Sequence, residues 1–206
     1  MVYDAQLIKI FCYEKASSPN RSSFFIYKHK LKASQIGADK THVAALHFSS
    51  NVWTDFRFTD TDMYNRDKLF RAIKNIPRNT VLHSGLKNLF QATKLCARRT
   101  YTKAALQQAD EDFFCPSCGS RNIQKVLVVI SDGKSNDQGS LAGKSFAKVT
   151  ASLKNKGVHI IAVGIGPGAD MDEMKEIATK PKYALRIRKA DAIERHLHNL
   201  ATLMCE

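Results

Sequence analysis

Two long runs of consecutive aliphatic residues, at 126–130 and 160–163, dominate the hydrophobic pattern of the chain. A run without polar alternation is typical of a strand buried on both faces, as in the centre of a parallel sheet. The segment Val52–Phe58 instead mixes apolar and polar residues and alternates between them over 55–58, which predicts a strand exposed on one side and antiparallel to its neighbour. Other apolar segments predict further strands over 6–12, 41–48 and 183–187.

Between these strands, apolar residues recur at the spacing of one helix face. The pattern predicts helices over 24–34, 67–76, 102–114, 140–156, 171–179 and 192–204. Strands that alternate with helices in this way predict an α/β fold: a doubly wound, mostly parallel central sheet with one antiparallel edge strand and helices on both faces. With 206 residues the chain is long enough for one large domain, and we expect residues 1–206 to form it.

The polarity changes abruptly where the first aliphatic run ends, because the polar segment 131–137 follows it directly. In an open α/β sheet, ligands bind at the carboxyl ends of the strands. We therefore predict that Asp132 lies at the binding edge. A simpler interpretation stays open, in which Asp132 and Gly133 only turn the chain and Asp137 balances the charge of Lys134.

The chain carries 32 Lys and Arg against 19 Asp and Glu, a formal net charge of +13. Such a surplus favours polyanionic partners. The basic residues cluster at 28–32, 66–78, 94–99 and 180–189, where they form either solvated helix faces or a surface for sulfated glycans. Aromatic residues are not interleaved with these clusters, so no specific nucleic-acid binding is predicted. No apolar run approaches the roughly 18 residues of a membrane span, so no membrane insertion is predicted.

Five cysteines are present, at positions 12, 96, 115, 118 and 205, so at least one has no partner within an oxidised chain. The spacing Cys115-Pro116-Ser117-Cys118 resembles one half of a zinc ribbon. A ribbon needs a second pair of ligands, and the sequence has no other Cys-x-x-Cys and no His-x-x-x-His. The pattern therefore favours a disulfide or two free thiols over zinc.

Three passages, 41–58, 125–137 and 153–166, together resemble the von Willebrand factor type A (VWA) domain. The resemblance covers nearly the whole chain and is greatest to extracellular-matrix members such as those of the matrilins and collagen VI. It implies a metal-ion-dependent adhesion site (MIDAS) at the carboxyl edge of the sheet. In that family the site uses an Asp-x-Ser-x-Ser loop after the first strand, a Thr in a later loop and an Asp after the central strand. Mg²⁺, with Mn²⁺ or Ca²⁺ as alternatives, suits such oxygen ligands.

Asp132 occupies the place of the family's second Asp. Two segments, beginning at Thr80 and Thr100, resemble the family pattern Thr-x-Thr-Gly-x-Ala-Leu. We assign the Thr to Thr100, because the 132 − 100 = 32 positions up to Asp132 accommodate one helix, a loop and a strand, whereas 132 − 80 = 52 would leave a helix unexplained. Residues 77–97 then form an insertion on the family pattern. From the residues alone, Thr100 is also a candidate helix cap, bonded to the backbone near Lys103.

The first loop departs from the family pattern. The segment 14–18 aligns with Asp-x-Ser-x-Ser, so Glu14 replaces the Asp, Ala16 replaces the first Ser, and Ser18 matches the second. A longer carboxylate and a lost hydroxyl predict a weakened octahedral site, because Mg²⁺ tolerates little distortion. The resemblance therefore implies a partly degenerate metal site formed by Asp132, Thr100, Ser18 and Glu14.

The resemblance implies a noncatalytic adhesion module of an extracellular or cell-surface protein, with an extracellular-matrix protein as its partner. No catalytic Ser-His-Asp order, phosphate-binding loop or pair of catalytic carboxylates is evident, so no enzyme activity is predicted. The alternative is a metal-independent structural module whose basic surface binds glycosaminoglycans or other polyanions. A third interpretation is an intracellular member of the family, with Cys115 and Cys118 reduced or bound to zinc. No signal peptide is visible, and we expect the chain to be a fragment.

Overall fold

The computed structural model describes the backbone of residues 5–12 and, with their side chains, residues 36–76 and 99–188. Within these ranges the chain forms one six-stranded sheet in the order β3-β2-β1-β4-β5-β6. The strands are β1 (Ala5–Cys12), β2 (Val43–Phe48), β3 (Val52–Phe56), β4 (Gln124–Ser131), β5 (Val158–Ile165) and β6 (Ala184–Ile187). All neighbouring pairs are parallel except β2 and β3, which form an antiparallel hairpin.

The two aliphatic runs of the sequence form the centre of this sheet. β4 is buried from Val126 through Ser131, and β5 is buried from Ile160 through Gly164. The two strands lie side by side, with Val128 opposite Ile161. Continuous burial on both faces explains why neither run alternates with polar residues.

Four α-helices are described: α1 (Arg66–Asn75), α2 (Thr102–Asp112), α3 (Phe146–Asn155) and α4 (Met171–Ile177). The helices α2, α3 and α4 are neighbours, with α3 in contact with both others, and each of the three packs on strands of the sheet. Side-chain caps fix three helix starts, from Asn65 for α1, Ser145 for α3 and Asp170 for α4.

The predicted fold class is confirmed, including the single antiparallel edge strand. The helix predicted over 140–156 is wrong at its start, because residues Gly139–Leu141 form a separate 3-10 turn and the α-helix begins only after Ser145. The Ser145 side chain accepts a hydrogen bond from the Lys148 amide and so defines that start. The helices predicted at 24–34 and 192–204 and the insertion predicted at 77–97 lie outside the described residues, and the single-domain prediction remains untested.

The Cys-x-x-Cys segment forms a 3-10 turn between α2 and β4, and it carries a disulfide bond between Cys115 and Cys118. The prediction of a disulfide or free thiols is therefore settled in favour of the disulfide. Among the residues with described side chains, no three His, Cys, Asp or Glu side chains gather into a group that could hold a metal ion. In that part of the chain, Cys115 and Cys118 therefore have no second pair of ligands with which to bind zinc.

Candidate metal centre

The carboxyl ends of the parallel strands meet at one edge of the sheet. β1 ends there at Cys12, β4 at Ser131 and β5 at Ile165. Three loops described with their side chains leave this edge: 49–51 after β2, 132–137 after β4 and 166–170 after β5. The loop that follows β1 contains the predicted ligands Glu14 and Ser18, which lie outside the described residues.

Thr100 is tied directly to the loop that follows β4. The Thr100 amide donates to the Asn136 side-chain oxygen over 2.6 Å, and the Asn136 amide donates to the Thr100 carbonyl over 3.1 Å. The Tyr101 amide also donates to the Ser49 carbonyl over 3.0 Å, which anchors the segment to the β2–β3 turn. The fold therefore brings the loop of Thr100 against the loop of Asp132, while their role as metal ligands stays a prediction.

Asp137 caps helix α2 from outside the helix. Its two carboxylate oxygens accept from the amides of Lys103 at 2.9 Å and Ala104 at 3.0 Å, and one also accepts from the Ser135 hydroxyl. The N-cap residue itself, Tyr101, makes no side-chain capping bond. The carboxylate thus satisfies helix amides that have no partner within the helix.

Two interpretations that the residues alone had left open are therefore wrong. The Lys103 amide is bonded by Asp137, so Thr100 does not cap the helix there. The ammonium group of Lys134 pairs with Asp170 at 3.0 Å, so Asp137 is not its counter-ion. Asp137 is 8% exposed, and its hydrogen bonds are with helix amides and a hydroxyl rather than with a surface lysine.

The loop after β5 packs against the loop after β4. A Cβ atom at Gly168 would lie 2.6 Å from the main-chain oxygen of Asp132, so only glycine leaves room for that carbonyl. In addition, the Ser135 amide donates to the Glu173 carboxylate over 2.8 Å. Together with the pair between Lys134 and Asp170, these contacts join α4 to the loop of Asp132.

The charged groups between α4 and the loop of Asp132 shift one another's pKa values. The hydrogen bond from Lys134 holds the pKa of Asp170 below its usual value, and the same bond raises the pKa of Lys134. Burial raises the pKa of the Glu173 carboxyl group, an effect that the Ser135 amide partly opposes. The three groups lie together at the start of α4, beside the segment that positions Asp132.

Two of the four predicted metal ligands, Asp132 and Thr100, lie among the described residues. Asp132 contributes a half-buried carboxylate at the strand end, and Thr100 is fully buried beside the same loop. Two residues further on, the hydroxyl of Thr102 is buried without a hydrogen-bond partner. A buried oxygen without a partner is unusual, and a nearby cation or an ordered water would satisfy it. The ligand types are those that Mg²⁺ or Ca²⁺ prefers.

Sequence reasoning missed several residues that build this edge: Asn136, Asp137, Gly168, Asp170 and Glu173. Their signals were present but ambiguous. Asn and Asp after a strand also form ordinary turns, and a glycine-rich segment such as 164–168 is equally typical of a chain that only turns after a buried strand. The pairing of loops that are distant in sequence decides their roles.

The family model of the von Willebrand factor type A domain matches residues 25–201 of the chain. This match covers well over half of the sequence. The chain belongs to the VWA domain family. The passages around 41–58, 125–137 and 153–166, which suggested this family, all lie within the matched range.

The VWA domain is similar in sequence to extracellular-matrix proteins. It is 30% identical to mouse (Mus musculus) matrilin-3 over 151 residues, which is 71% of this chain and 26% of the matrilin. It is 26% identical to the mouse collagen alpha-5(VI) chain over 168 residues, which is 80% of this chain and 5% of the collagen. The chain thus spans about a quarter or less of the length of these relatives.

Solved structures show the same fold. Proximal thread matrix protein 1 from the mussel byssus superposes with a TM-score of 0.77 at 22% identity, over 98% of this chain and 48% of that chain. A second structure of that mussel protein, described with a zinc-occupied MIDAS motif, gives the same TM-score at 21% identity and the same coverage of both chains. No helix among the residues with described side chains is both long and apolar enough to cross a membrane.

Proposed function

We propose that this VWA domain is a noncatalytic adhesion module that binds an extracellular-matrix protein through a divalent cation at the carboxyl edge of its sheet. Asp132, Thr100, Ser18 and Glu14 are the proposed ligands. The observation that carries the proposal is the double hydrogen bond between Thr100 and Asn136, which brings two of the three ligand loops together. The matrilin and collagen relatives, which are structural proteins, support a noncatalytic role outside the cell.

The chemistry of the proposed site suits adhesion. Hydroxyl ligands and few carboxylates leave a bound Mg²⁺ or Mn²⁺ with positive charge that is not fully neutralised. Such a cation accepts a further carboxylate, so an acidic side chain of a matrix partner completes its coordination. Because Glu14 and Ala16 depart from the family pattern, we expect the affinity for Mg²⁺ to be weak.

Calorimetric titration tests this proposal. Mg²⁺, Mn²⁺, Ca²⁺ and Zn²⁺ are each titrated into the wild-type chain and into the variants Asp132→Ala and Thr100→Ala. Asp62→Ala is the matched control, because this exposed carboxylate pairs with Lys68 on the surface, beyond the opposite end of β3. We expect saturable heats for the wild type and the control and their loss in both site variants. Absence of heat in the wild type, or equal heats in all four proteins, contradicts the metal site.

A second candidate function is binding of glycosaminoglycans without a metal. Lys180, Lys182, Arg186 and Arg188 are all exposed on or beside the edge strand β6. The ammonium groups of Lys180 and Lys182 lie 5.9 and 5.3 Å from the centroid of the Tyr183 ring. Among the described residues, no carboxylate forms an ion pair with Lys180, Arg186 or Arg188. This cluster at one sheet edge supports a polyanion surface.

Salt and chelation distinguish the two candidates. Binding to heparin through the basic cluster is expected to weaken steeply between 50 and 500 mM NaCl, roughly in proportion to the number of cations displaced, and to survive EDTA. Binding to a matrix protein through the metal is expected to vanish with EDTA and to return with Mn²⁺. The double variant Lys180→Ala/Arg188→Ala should weaken only the binding to heparin. Asp132→Ala should weaken only the metal-dependent binding to the matrix protein.

A further inference from the structure

The turn between α2 and β4 carries the disulfide bond between Cys115 and Cys118, which are three positions apart. Both cysteines are half-buried, and Pro116 and Ser117 between them are exposed. The turn therefore lies open to solvent, and dissolved thiols and disulfides have access to it.

Other interactions hold this turn in place besides the disulfide. The Cys118 amide donates to the Cys115 carbonyl over 3.1 Å and closes the turn through the backbone. On the amino side, Phe113 and Phe114 are buried against Phe58, with ring centroids 6.1 and 6.2 Å apart. The turn is thus anchored to the core at the residues that directly precede Cys115.

The carboxyl side is held as firmly. Gly119 has φ +76°, and a Cβ atom there would lie 2.9 Å from the side chain of Thr59, so the backbone packs closely on that residue. The disulfide itself closes a ring of only four residues, and short rings restrict the unfolded chain least. We therefore expect the turn to keep its shape when the disulfide is reduced.

Each sulfur has a neighbour that suits the reduced state. The Ser117 hydroxyl lies 3.2 Å from the Cys115 sulfur, and it donates to that sulfur because a disulfide sulfur has no proton. The Cys118 sulfur lies 3.2 Å from the carbonyl oxygen of Glu111, which only accepts. A donor favours a thiolate and an acceptor favours a protonated thiol. In the reduced protein we therefore expect Cys115 to be the nucleophile and Cys118 to be the second thiol.

We propose that Cys115 and Cys118 form a redox-active pair that exchanges with thiols and disulfides of other molecules. The Cys115 thiolate attacks a disulfide R–S–S–R, forms a mixed disulfide with one sulfur and releases the other as R–S⁻. Cys118 then loses its proton to solvent and attacks the Cys115 sulfur, which restores the intrachain disulfide and releases the second R–S⁻. Two electrons pass from the cysteines to R–S–S–R, and the two protons lost by the cysteines convert both products to thiols. An excess of thiol drives the same steps in reverse.

Equilibration of the native chain with reduced and oxidised glutathione tests the exchange. After acid quenching and alkylation, mass spectrometry reads the tryptic peptide 104–121, which contains Cys115 and Cys118 and no other cysteine. We expect reversible reduction of this peptide while the far-UV circular dichroism of the chain stays unchanged. The proposal is overturned if the peptide stays oxidised until urea unfolds the chain, or if its reduction unfolds the chain.

Variants test the assigned roles. Cys118→Ser is expected to accumulate a glutathione mixed disulfide at Cys115, and Cys115→Ser to form one at Cys118 about tenfold more slowly. In the Cys118→Ser background, Ser117→Ala should slow the reaction of Cys115, whereas Ser120→Ala is the matched control and should not. Equal rates with and without the Ser117 hydroxyl, or a faster reaction at Cys118 than at Cys115, overturn the assignment.

Discussion

Gly168 lies directly against the main-chain carbonyl group of Asp132, because a Cβ atom at position 168 would come within 2.6 Å of the Asp132 oxygen. Close-packed backbone does not yield to such a contact, so a methyl group there must displace the loop after β4. We predict that Gly168→Ala weakens Mg²⁺ or Mn²⁺ binding about 10- to 100-fold, the usual effect of disturbing the groups that orient a ligand. Calorimetric titration measures the change.

Gly143→Ala is the matched control for this substitution. Gly143 has open space around its would-be Cβ atom and does not have a positive φ. We expect the Gly143→Ala variant to bind metal as the wild type does. If both alanine variants bind metal with wild-type affinity, the main-chain position of Asp132 does not govern the site.

The side chain of Asn136 is predicted to set the distance between the Thr100 and Asp132 loops. Asn136→Ala removes the acceptor for the Thr100 amide and should lower the free energy of unfolding by about 1 kcal/mol. It should also reduce metal affinity about 10- to 100-fold. Asn136→Asp keeps an oxygen acceptor and is expected to restore most of the stability. Urea unfolding and metal titration of the two variants check this, and equal behaviour of Ala and Asp would contradict it.

The sequence predicted the sheet well because its strongest signals are local. The aliphatic run before Asp132 forms β4, which is buried on both faces as expected. The strand predicted over 52–58 is present and antiparallel, but it ends at Phe56, and its residues 52–55 are all half-buried instead of presenting one exposed face. The start of α3 was missed, because helical periodicity over 140–156 could not show that Ser145 would cap the helix. Boundaries depend on single side-chain bonds, and periodicity does not report these.

The candidate site was less predictable for a different reason. Asp132 was located correctly at the carboxyl edge, since the end of a buried parallel strand fixes that position. The contacts of the loop that follows Asp132 were not predicted. Asp137 accepts a hydrogen bond from α2, and the Ser135 amide donates to Glu173, so each contact joins residues that are 33 or more positions apart in sequence. Such contacts follow from the order of strands in the sheet, which no local pattern contains.

Asp137 is predicted to be the most important carboxylate for stability at this edge. It is nearly buried and accepts from two α2 amides and the Ser135 hydroxyl, so Asp137→Ala leaves several donors without partners. We expect a loss of about 1 to 3 kcal/mol in the free energy of unfolding. Asp172→Ala serves as the control, because that carboxylate is 92% exposed and should change stability by less than about 0.5 kcal/mol. Urea denaturation of both variants is the measurement, and a similar loss in each would refute the buried cap.

Two carboxylates at the start of α4, Glu173 and the N-cap residue Asp170, are predicted to give opposite pH dependences. Burial raises the pKa of Glu173 in the folded state, so the folded protein binds more protons than the unfolded chain between the two pKa values. The penalty for ionised Glu173 is therefore present at neutral pH and disappears as the pH falls below its unfolded pKa. Glu173→Gln, which keeps an acceptor for the Ser135 amide, should be more stable than the wild type at pH 7, with the difference shrinking towards about pH 4.

Asp170, which caps the same helix, provides the counterpart. The hydrogen bond from Lys134 lowers its pKa in the folded state, so its stabilising effect is present above the unfolded pKa and is lost as the pH falls through the folded value. Asp170→Asn, which retains a capping side chain, should be less stable than the wild type at pH 7, and this deficit should shrink on acidification. Urea unfolding of wild type and both variants from pH 7 to pH 3 gives the two slopes. Because the predicted slopes have opposite signs, a general effect of acid on the fold cannot produce both, and slopes of the same sign would contradict the charge arrangement at the start of α4.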